Sequence, residues 1–361
     1  MTSIPVPPPG AEKFISVRRW EPAPEQGDAQ PFVRRFKRAD DFIREYRPLS
    51  YTIDGCLPAA SIYGVTGRRG TGKTTFLIAI ALAVATGRRD LIGFDVERGR
   101  VTFVALENPV DFRMKLTAGC RAFNIDMADL GKNLAIIDGR MKPEEVVEQL
   151  TVAAREGGDF QLVIYDTFQA GFDGAEFNSN AEVLAFTQRL RAFTSLPGGP
   201  SALIAMHPTK SAAEDDLVPY GGGAIMNELD GNFTLWAENG QIKLGFNKVR
   251  GPEFEPRYFR IEMISTPDVL DAKGRQILLP VCRAVNAAEA DQREADDADF
   301  SLALLRMMLS EPLASQREWG EAIGKSKGRV NARLQRLRDE GLVEVVMGKW
   351  SLTSKGKKAL Q

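Results

Sequence analysis

Residues 64 to 75 read Gly-Val-Thr-Gly-Arg-Arg-Gly-Thr-Gly-Lys-Thr-Thr. From Gly67 to Thr74 the spacing is G-x-x-x-x-G-K-[ST], the pattern of a loop that wraps a polyphosphate. Gly67, Gly70 and Gly72 free the backbone to turn its N–H groups inward, with Arg68, Arg69 and Thr71 completing the loop. The N-terminus of a following helix, at Lys73, Thr74 and Thr75, would add partial positive charge at the same spot. Lys73 would reach the β- and γ-phosphates and Thr74 would place its hydroxyl on Mg²⁺, so ATP and Mg²⁺ are the expected ligands.

Two carboxylates extend this chemistry. The apolar run Leu162-Val163-Ile164-Tyr165 ends in Asp166, the arrangement that holds a Mg²⁺ shell beside a P-loop. Glu107 ends the run Val101 to Leu106. On a strand next to the P-loop it would polarise the water that attacks the γ-phosphate. Other classes fit less well. Asn247-Lys248-Val249-Arg250 is not the Asn-Lys-x-Asp base reader of GTPases, Gln169 replaces the glycine of a D-x-x-G switch, and Thr167 follows Asp166 where AAA+ machines carry Glu. No Leu-Ser-Gly-Gly-Gln run marks a transporter ATPase.

The elements that must position these groups alternate. Strands are expected at Ser61 to Val65, Val101 to Leu106, Leu134 to Ile137, Leu162 to Tyr165 and Ala202 to Met206. Helices are expected at Lys73 to Ala85, Pro109 to Phe123, Pro143 to Arg155 and Ala181 to Ser195, the last opened by a Ser179/Glu182 capping box. This alternation predicts an α/β fold with a mainly parallel central sheet and helices on both faces. After Asp230 the period changes to consecutive antiparallel strands at Asn232 to Ala237, Gln241 to Lys248 and Arg257 to Met263. The first two are joined at Glu238-Asn239-Gly240.

Composition sets the bounds. A chain of 361 residues with formal net charge −1 can meet nucleic acid only through local patches. Cys56, Cys120 and Cys282 are odd in number and far apart, so a reducing cytoplasmic setting is expected, and no apolar run is long enough to span a bilayer. Residues 1 to 31 are proline-rich, as in an extended arm. Arg34, Arg35, Lys37 and Arg38 follow, interleaved with Phe32, Val33 and Phe36. That element reads as a solvated face or a subunit-docking arm ahead of a DNA contact.

In this order the pieces resemble the RecA-type P-loop ATPases, in particular the hexameric RepA-like replicative helicases, AAA family ATPases of plasmid and phage type. The resemblance runs from about Pro48 to Met263. It rests on Ile53-Asp54-Gly55-Cys56-Leu57-Pro58, the P-loop, Arg98-Gly99-Arg100-Val101, Leu106-Glu107-Asn108, Asp166-Thr167, Met206-His207-Pro208-Thr209-Lys210, Gly221-Gly222-Gly223-Ala224 and Lys248-Val249-Arg250. It implies that Glu107 is the catalytic carboxylate and that His207, the chain's one histidine, senses the γ-phosphate. It also implies that Lys248 or Arg250 serves as a finger on a neighbouring subunit's ATP, so the protein would be a homo-oligomer, a hexamer in the family's form. Met206 and Pro208 depart from the family's usual His-His-Thr-Gly-Lys. The loops that would face single-stranded DNA, 169 to 180 and 208 to 223, carry Asp173, Glu176, Glu214, Asp215 and Asp216 against the single cation Lys210. That is the wrong sign for tracking a phosphate backbone.

The alanine-rich acidic stretch Ala287 to Asp297 reads as a linker. Residues 299 to 361 carry twelve Lys/Arg against seven Asp/Glu, a balance of +5. A helix at Phe300 to Leu309, a Ser315/Glu318-capped helix to Ile323, a turn at Gly324-Lys325-Ser326 and a third helix on Val330, Leu334 and Leu337 precede a hairpin wing turning at Met347-Gly348. This is similar to winged helix-turn-helix domains. Arg329, Asn331, Arg333 and Arg336 would lie on the outer face for duplex DNA, with Lys349 and Lys355 near phosphates. The expected division is 1–47 arm and basic element, 48–286 RecA-like ATPase, 287–298 acidic linker and 299–361 winged helix. The expected function is an ATP-driven helicase or translocase in DNA replication or recombination, with single-stranded DNA through the ring. The competing reading is a DNA-binding regulator whose ATPase domain is an assembly switch.

Overall fold

The computed structural model describes residues 38–46, 48–177, 179–209, 212–213, 217–238, 240–285, 287–346 and 348–360. The proline-rich arm, the cluster Phe32 to Lys37, Lys210, the acidic run Glu214-Asp215-Asp216 and the turn residues Asn239 and Met347 lie outside them. The chain divides after Pro48. Before that point lies α1 (Ala39–Arg44), a short helix whose Asp40 and Asp41 pair with Arg44 while Phe42 and Ile43 are exposed.

From Leu49 onward, β1 (Tyr51–Ile53) and β2 (Leu57–Pro58) form a small antiparallel pair. Then β3 (Ile62–Gly67), α2 (Lys73–Thr86), β4 (Arg100–Ala105), α3 (Pro109–Ala122), α4 (Met127–Leu130), β5 (Leu134–Asp138), α5 (Pro143–Gly157), β6 (Phe160–Asp166), α6 (Phe168–Gly171), α7 (Asn180–Arg191) and β7 (Ser201–Met206) follow. The series ends with α8 (Gly222–Glu228), β8 (Gly231–Glu238), β9 (Gln241–Lys248), β10 (Arg257–Ile264) and β11 (Leu279–Val285). One nine-stranded sheet runs β5-β4-β6-β7-β3-β8-β9-β10-β11. It is parallel from β5 to β8 and antiparallel from β8 to β11. This is the α/β, RecA-like P-loop core expected from the alternation.

Helices cover both faces. α2, α3 and α4 close one core, α5 and α7 the other. From Phe76 to Ala85 every residue of α2 is buried, because it packs between the sheet and α3. The small β1–β2 pair and, in the central sheet, β11 were not anticipated; β11 contains Pro280, which cannot donate to a ladder and is tolerated there because β11 is the sheet's edge. A second expectation is corrected by the strand order. β4, which leads to Glu107, is not next to the P-loop strand β3; β7 and β6 lie between them. The α2 crossover carries the chain past two positions that later strands fill.

The C-terminal segment comprises α9 (Ala287–Ser310), α10 (Gln316–Ala322), α11 (Lys327–Asp339), β12 (Val343–Val346), β13 (Lys349–Leu352) and α12 (Ser354–Lys358), with its own core around Leu304, Trp319, Val330, Leu334 and Leu337. This is the winged helix. The Ser315/Glu318 capping box is present, whereas Ser179 caps α7 from one side only, Glu182 turning its carboxylate to the Glu176 N–H. The first helix begins at Ala287, well before Phe300, so the acidic stretch is helical, in keeping with the high propensity of its Ala and Glu residues. Arg333 is also corrected. It is 9% exposed, ion-paired to Asp297 on α9 at 2.7 Å and bonded to Ser301, and Arg336 leans on the same carboxylate at 4.0 Å. The buried Arg333 side chain carries its charge to the part-buried Asp297 of α9. Among the described residues, no helix is long and apolar enough to cross a membrane.

Candidate functional site

The C-terminal ends of the parallel strands converge on a cleft of about 640 Å³. Its floor is the loop between β3 and α2, where Gly70 and Gly72 take φ of +78° and +90°, a backbone that L side chains resist. A Cβ at Gly72 would also press on Ile261 Cδ1 at 3.1 Å. Of the phosphate-loop residues, Arg69, Gly70, Gly72, Lys73, Thr74 and Thr75 face the cleft. Gly67, Arg68 and Thr71 do not line it: Thr71 Oγ1 donates to the Arg68 carbonyl at 2.6 Å, closing the loop on itself. The Arg68 side chain turns away, bonding the Ala212 carbonyl and lying over the Trp236 ring.

Lys73 Nζ donates to the carbonyls of Gly67 (2.6 Å) and Arg68 (3.1 Å) and lies 3.1 Å from His207 Nδ1. Thr74 Oγ1 donates to Asp166 Oδ2 at 2.7 Å, and the second oxygen, Asp166 Oδ1, is buried with no hydrogen-bond partner. Beside them Thr167 Oγ1 donates to Glu107 Oε1 at 3.0 Å. His207 ends β7 and is held by its own N–H on Gln169 Oε1. Glu107, three strands from β3, thus still reaches the cleft.

Burial dominates the electrostatics. It pushes Asp166 up to about 6, aided by the Glu107 charge and opposed by the Thr74 hydrogen bond. It also pulls Lys73 down to about 8, against the pull of Asp166 and Glu107. His207 is held below the usual imidazole range by burial and by the Lys73 charge. Charges held under such desolvation favour partners of opposite sign. A buried carboxylate oxygen without a partner beside a threonine hydroxyl is a hard oxygen set that suits Mg²⁺, so the residues fit that ion.

Not every expected residue meets here. Lys248 Nζ bonds the Met226 carbonyl on α8, and Arg250 Nη1 pairs with Asp230 Oδ1 at 2.9 Å while remaining 62% exposed on its side chain. Neither lines the cleft of its own chain. Conversely, Lys115, Ile261 and Pro280 line the cleft without having been singled out from the sequence, and Thr167, read there only as the neighbour of Asp166, lines it too. A signal for Lys115 existed: Asn108 caps α3 beside Glu107, and Asp111 and Lys115 share one face at i, i+4. Ile261 and Pro280 come from β10 and β11 and carry no local signal.

On the winged helix, Lys327, Arg329, Asn331 and Arg338 of α11 are exposed, as is Lys349 of the wing. Lys327, Lys349 and Trp350 share a groove with Arg317. Of the acidic loop residues within the described segments, Asp173 is paired with Arg189.

Residues 298–344 match the winged helix-turn-helix DNA-binding family. No curated protein matches the chain. Residues 29–213 match the AAA domain family; this segment holds the phosphate loop, Glu107, Asp166 and His207 and is more than half of the sequence, so the chain belongs to that family.

Proposed function

We propose that the chain is an ATP-hydrolysing DNA helicase or translocase of the RepA-like type, working as a ring-forming homo-oligomer in DNA replication or recombination. The observation that carries the ATPase reading is the meeting of Lys73, Thr74, Asp166 and Glu107 in one cleft. The winged-helix match supports a DNA partner. The division into an N-terminal arm (1–47), an ATPase domain (48–286), an acidic connecting segment (287–298) and a winged helix (299–361) is part of the same proposal.

In this reading the loop N–H groups and Lys73 hold the β- and γ-phosphates of ATP. Thr74 and Asp166 would hold Mg²⁺, which when bound would supply positive charge against the phosphate oxygens. Glu107, fixed by Thr167, orients a water whose oxygen bonds to the γ-phosphorus as the bond to the β–γ bridging oxygen breaks. ADP leaves with that electron pair, and the water's proton passes to Glu107. His207, neutral beside Lys73, registers the charge on the γ-phosphate. Exposed Arg250, or Lys248, would act on a neighbouring subunit's ATP.

The second reading, a DNA-binding regulator switched by ATP, is favoured by one observation: Asp230 and Met226 already engage Arg250 and Lys248 within the chain. Steady-state hydrolysis at several protein concentrations, with and without single-stranded DNA, separates the two, alongside strand displacement on a forked duplex. The motor predicts activity that rises with concentration, is stimulated by DNA and falls at least tenfold in Arg250→Ala or Lys248→Ala. Hydrolysis indifferent to DNA and to both substitutions, with no unwinding, would leave the regulator.

A further inference from the structure

Among the described residues, Lys115 is the one Lys or Arg of the cleft that lies outside the phosphate loop and has no role in the mechanism above. It sits on α3, an element that the phosphate loop does not determine, and it lines the same cleft as Lys73, Thr74, Glu107 and Asp166. Its side chain is 20% exposed, and its ammonium is held by Asp111 one turn earlier at 2.6 Å. Its charge reaches Asp166, which it draws toward the ionised form. A surface i, i+4 pair has no reason to turn into a cleft. A lysine does so when its charge has a partner there, and a tether on one side leaves two of its three donor positions free.

We infer that Lys115 is a same-chain phosphate contact, donating from α3 to the γ-phosphate oxygens opposite Lys73. The inference rests on the reading of the cleft as a nucleoside triphosphate site. Phosphoryl transfer is catalysed mainly by positive charge placed around the equatorial oxygens. Lys73 supplies such charge from the floor, whereas Lys248 and Arg250 are not at the cleft of their own chain. Lys115 supplies it from the wall that also carries Glu107, since Glu107 directly precedes the Asn108 cap of α3. The group that orients the water and the group that steadies the phosphate then move as one rigid element. Lys115 acts by charge alone, gaining and losing no proton.

The test compares Mg-ATP and Mg-ADP binding, read by competition against a fluorescent nucleotide, and steady-state hydrolysis. The full chain would be used as wild type, Lys115→Gln, Lys115→Arg and Asp111→Asn. A γ-phosphate contact predicts that Lys115→Gln loses about tenfold or more in ATP affinity with ADP affinity unchanged. It also predicts a larger fall in kcat and recovery of both in Lys115→Arg. Asp111→Asn, which breaks the tether but keeps the charge, should retain the preference for ATP. If Lys115→Gln keeps both the ATP-to-ADP affinity ratio and kcat of the wild type, the inference is wrong. If Asp111→Asn loses them as fully as Lys115→Gln, Lys115 serves α3 and not the phosphate. A wild-type chain that binds neither nucleotide would instead overturn the triphosphate reading itself. Should Lys115→Gln not fold, Lys115→Met, which keeps the stem without the charge, carries the same expectations.

Discussion

At the scale of single residues, the cleft pairs groups that burial has moved in opposite directions. Asp166 must be ionised to hold a cation, yet its carboxyl is raised to about 6. Lys73 must be protonated to hold phosphate, yet its ammonium is lowered to about 8. Since kcat/KM reports the free enzyme, it should fall as pH drops through about 6, where Asp166 takes up a proton. It should fall again as pH rises through about 8, where Lys73 loses one. Unperturbed groups would put those limbs near 4 and above 10. Hydrolysis followed between pH 5 and 9.5 with saturating Mg²⁺ checks this; a flat profile would mean that neither group titrates as its burial demands. His207 is held below its ordinary range by burial and by the Lys73 charge beside it.

At the scale of elements, the site depends on how β3 is flanked. Tyr63 of β3 is fully buried, faces Gly231 of β8 in the parallel register, and donates its hydroxyl to the Arg250 carbonyl at 3.3 Å. A Cβ on Gly231 would lie 2.1 Å from Tyr63 Cε1. Gly231→Ala should therefore cost about 1–3 kcal/mol by overpacking and loosen the β9 end that carries Lys248 and Arg250. Urea unfolding followed by far-UV circular dichroism reads the cost, and an unchanged midpoint would show that Tyr63 can move aside. The neighbouring strands are tied by a buried amide network: Thr66 donates to Asn232 Oδ1, and Asn232 donates to Asn247 Oδ1 and to the Leu217 carbonyl. This network pins the chain after His207 to the phosphate-loop strand.

For the whole molecule, a net charge of −1 conceals a basic C-terminal segment. The structure sorts its cations. Arg333, and in part Arg336, lean on Asp297 of α9. Lys327 and Arg329 stay exposed at the start of α11. Lys327→Ala and Arg329→Ala should each weaken duplex binding severalfold and reduce the slope of log affinity against log salt by about 0.9 for each phosphate no longer neutralised. Both variants should leave folding intact. Fluorescence anisotropy across a salt series measures this, and unchanged slopes in both variants would move the DNA-binding face off α11.

The local chemistry was written in short stretches of chain. The G-x-x-x-x-G-K-[ST] loop, the apolar runs ending in Glu107 and Asp166, the strand–helix alternation and the Ser315/Glu318 cap all act within a few residues of one another, so spacing alone determined them. Three things needed the tertiary structure. Strand order set Glu107 two strands further from β3 than expected, because a crossover can skip positions that later strands fill. Lys115 carried a local signal in the α3 cap and its i, i+4 partner Asp111, but only packing turned it into the cleft, which Ile261 and Pro280 reach from β10 and β11 with no local signal at all. Arg333 turned inward because a buried cation follows its nearest acid, Asp297 on another helix. Local backbone chemistry is legible in sequence because its partners are neighbours in the chain; which side chains meet across a sheet or between helices is decided by packing, and only the folded chain contains that information.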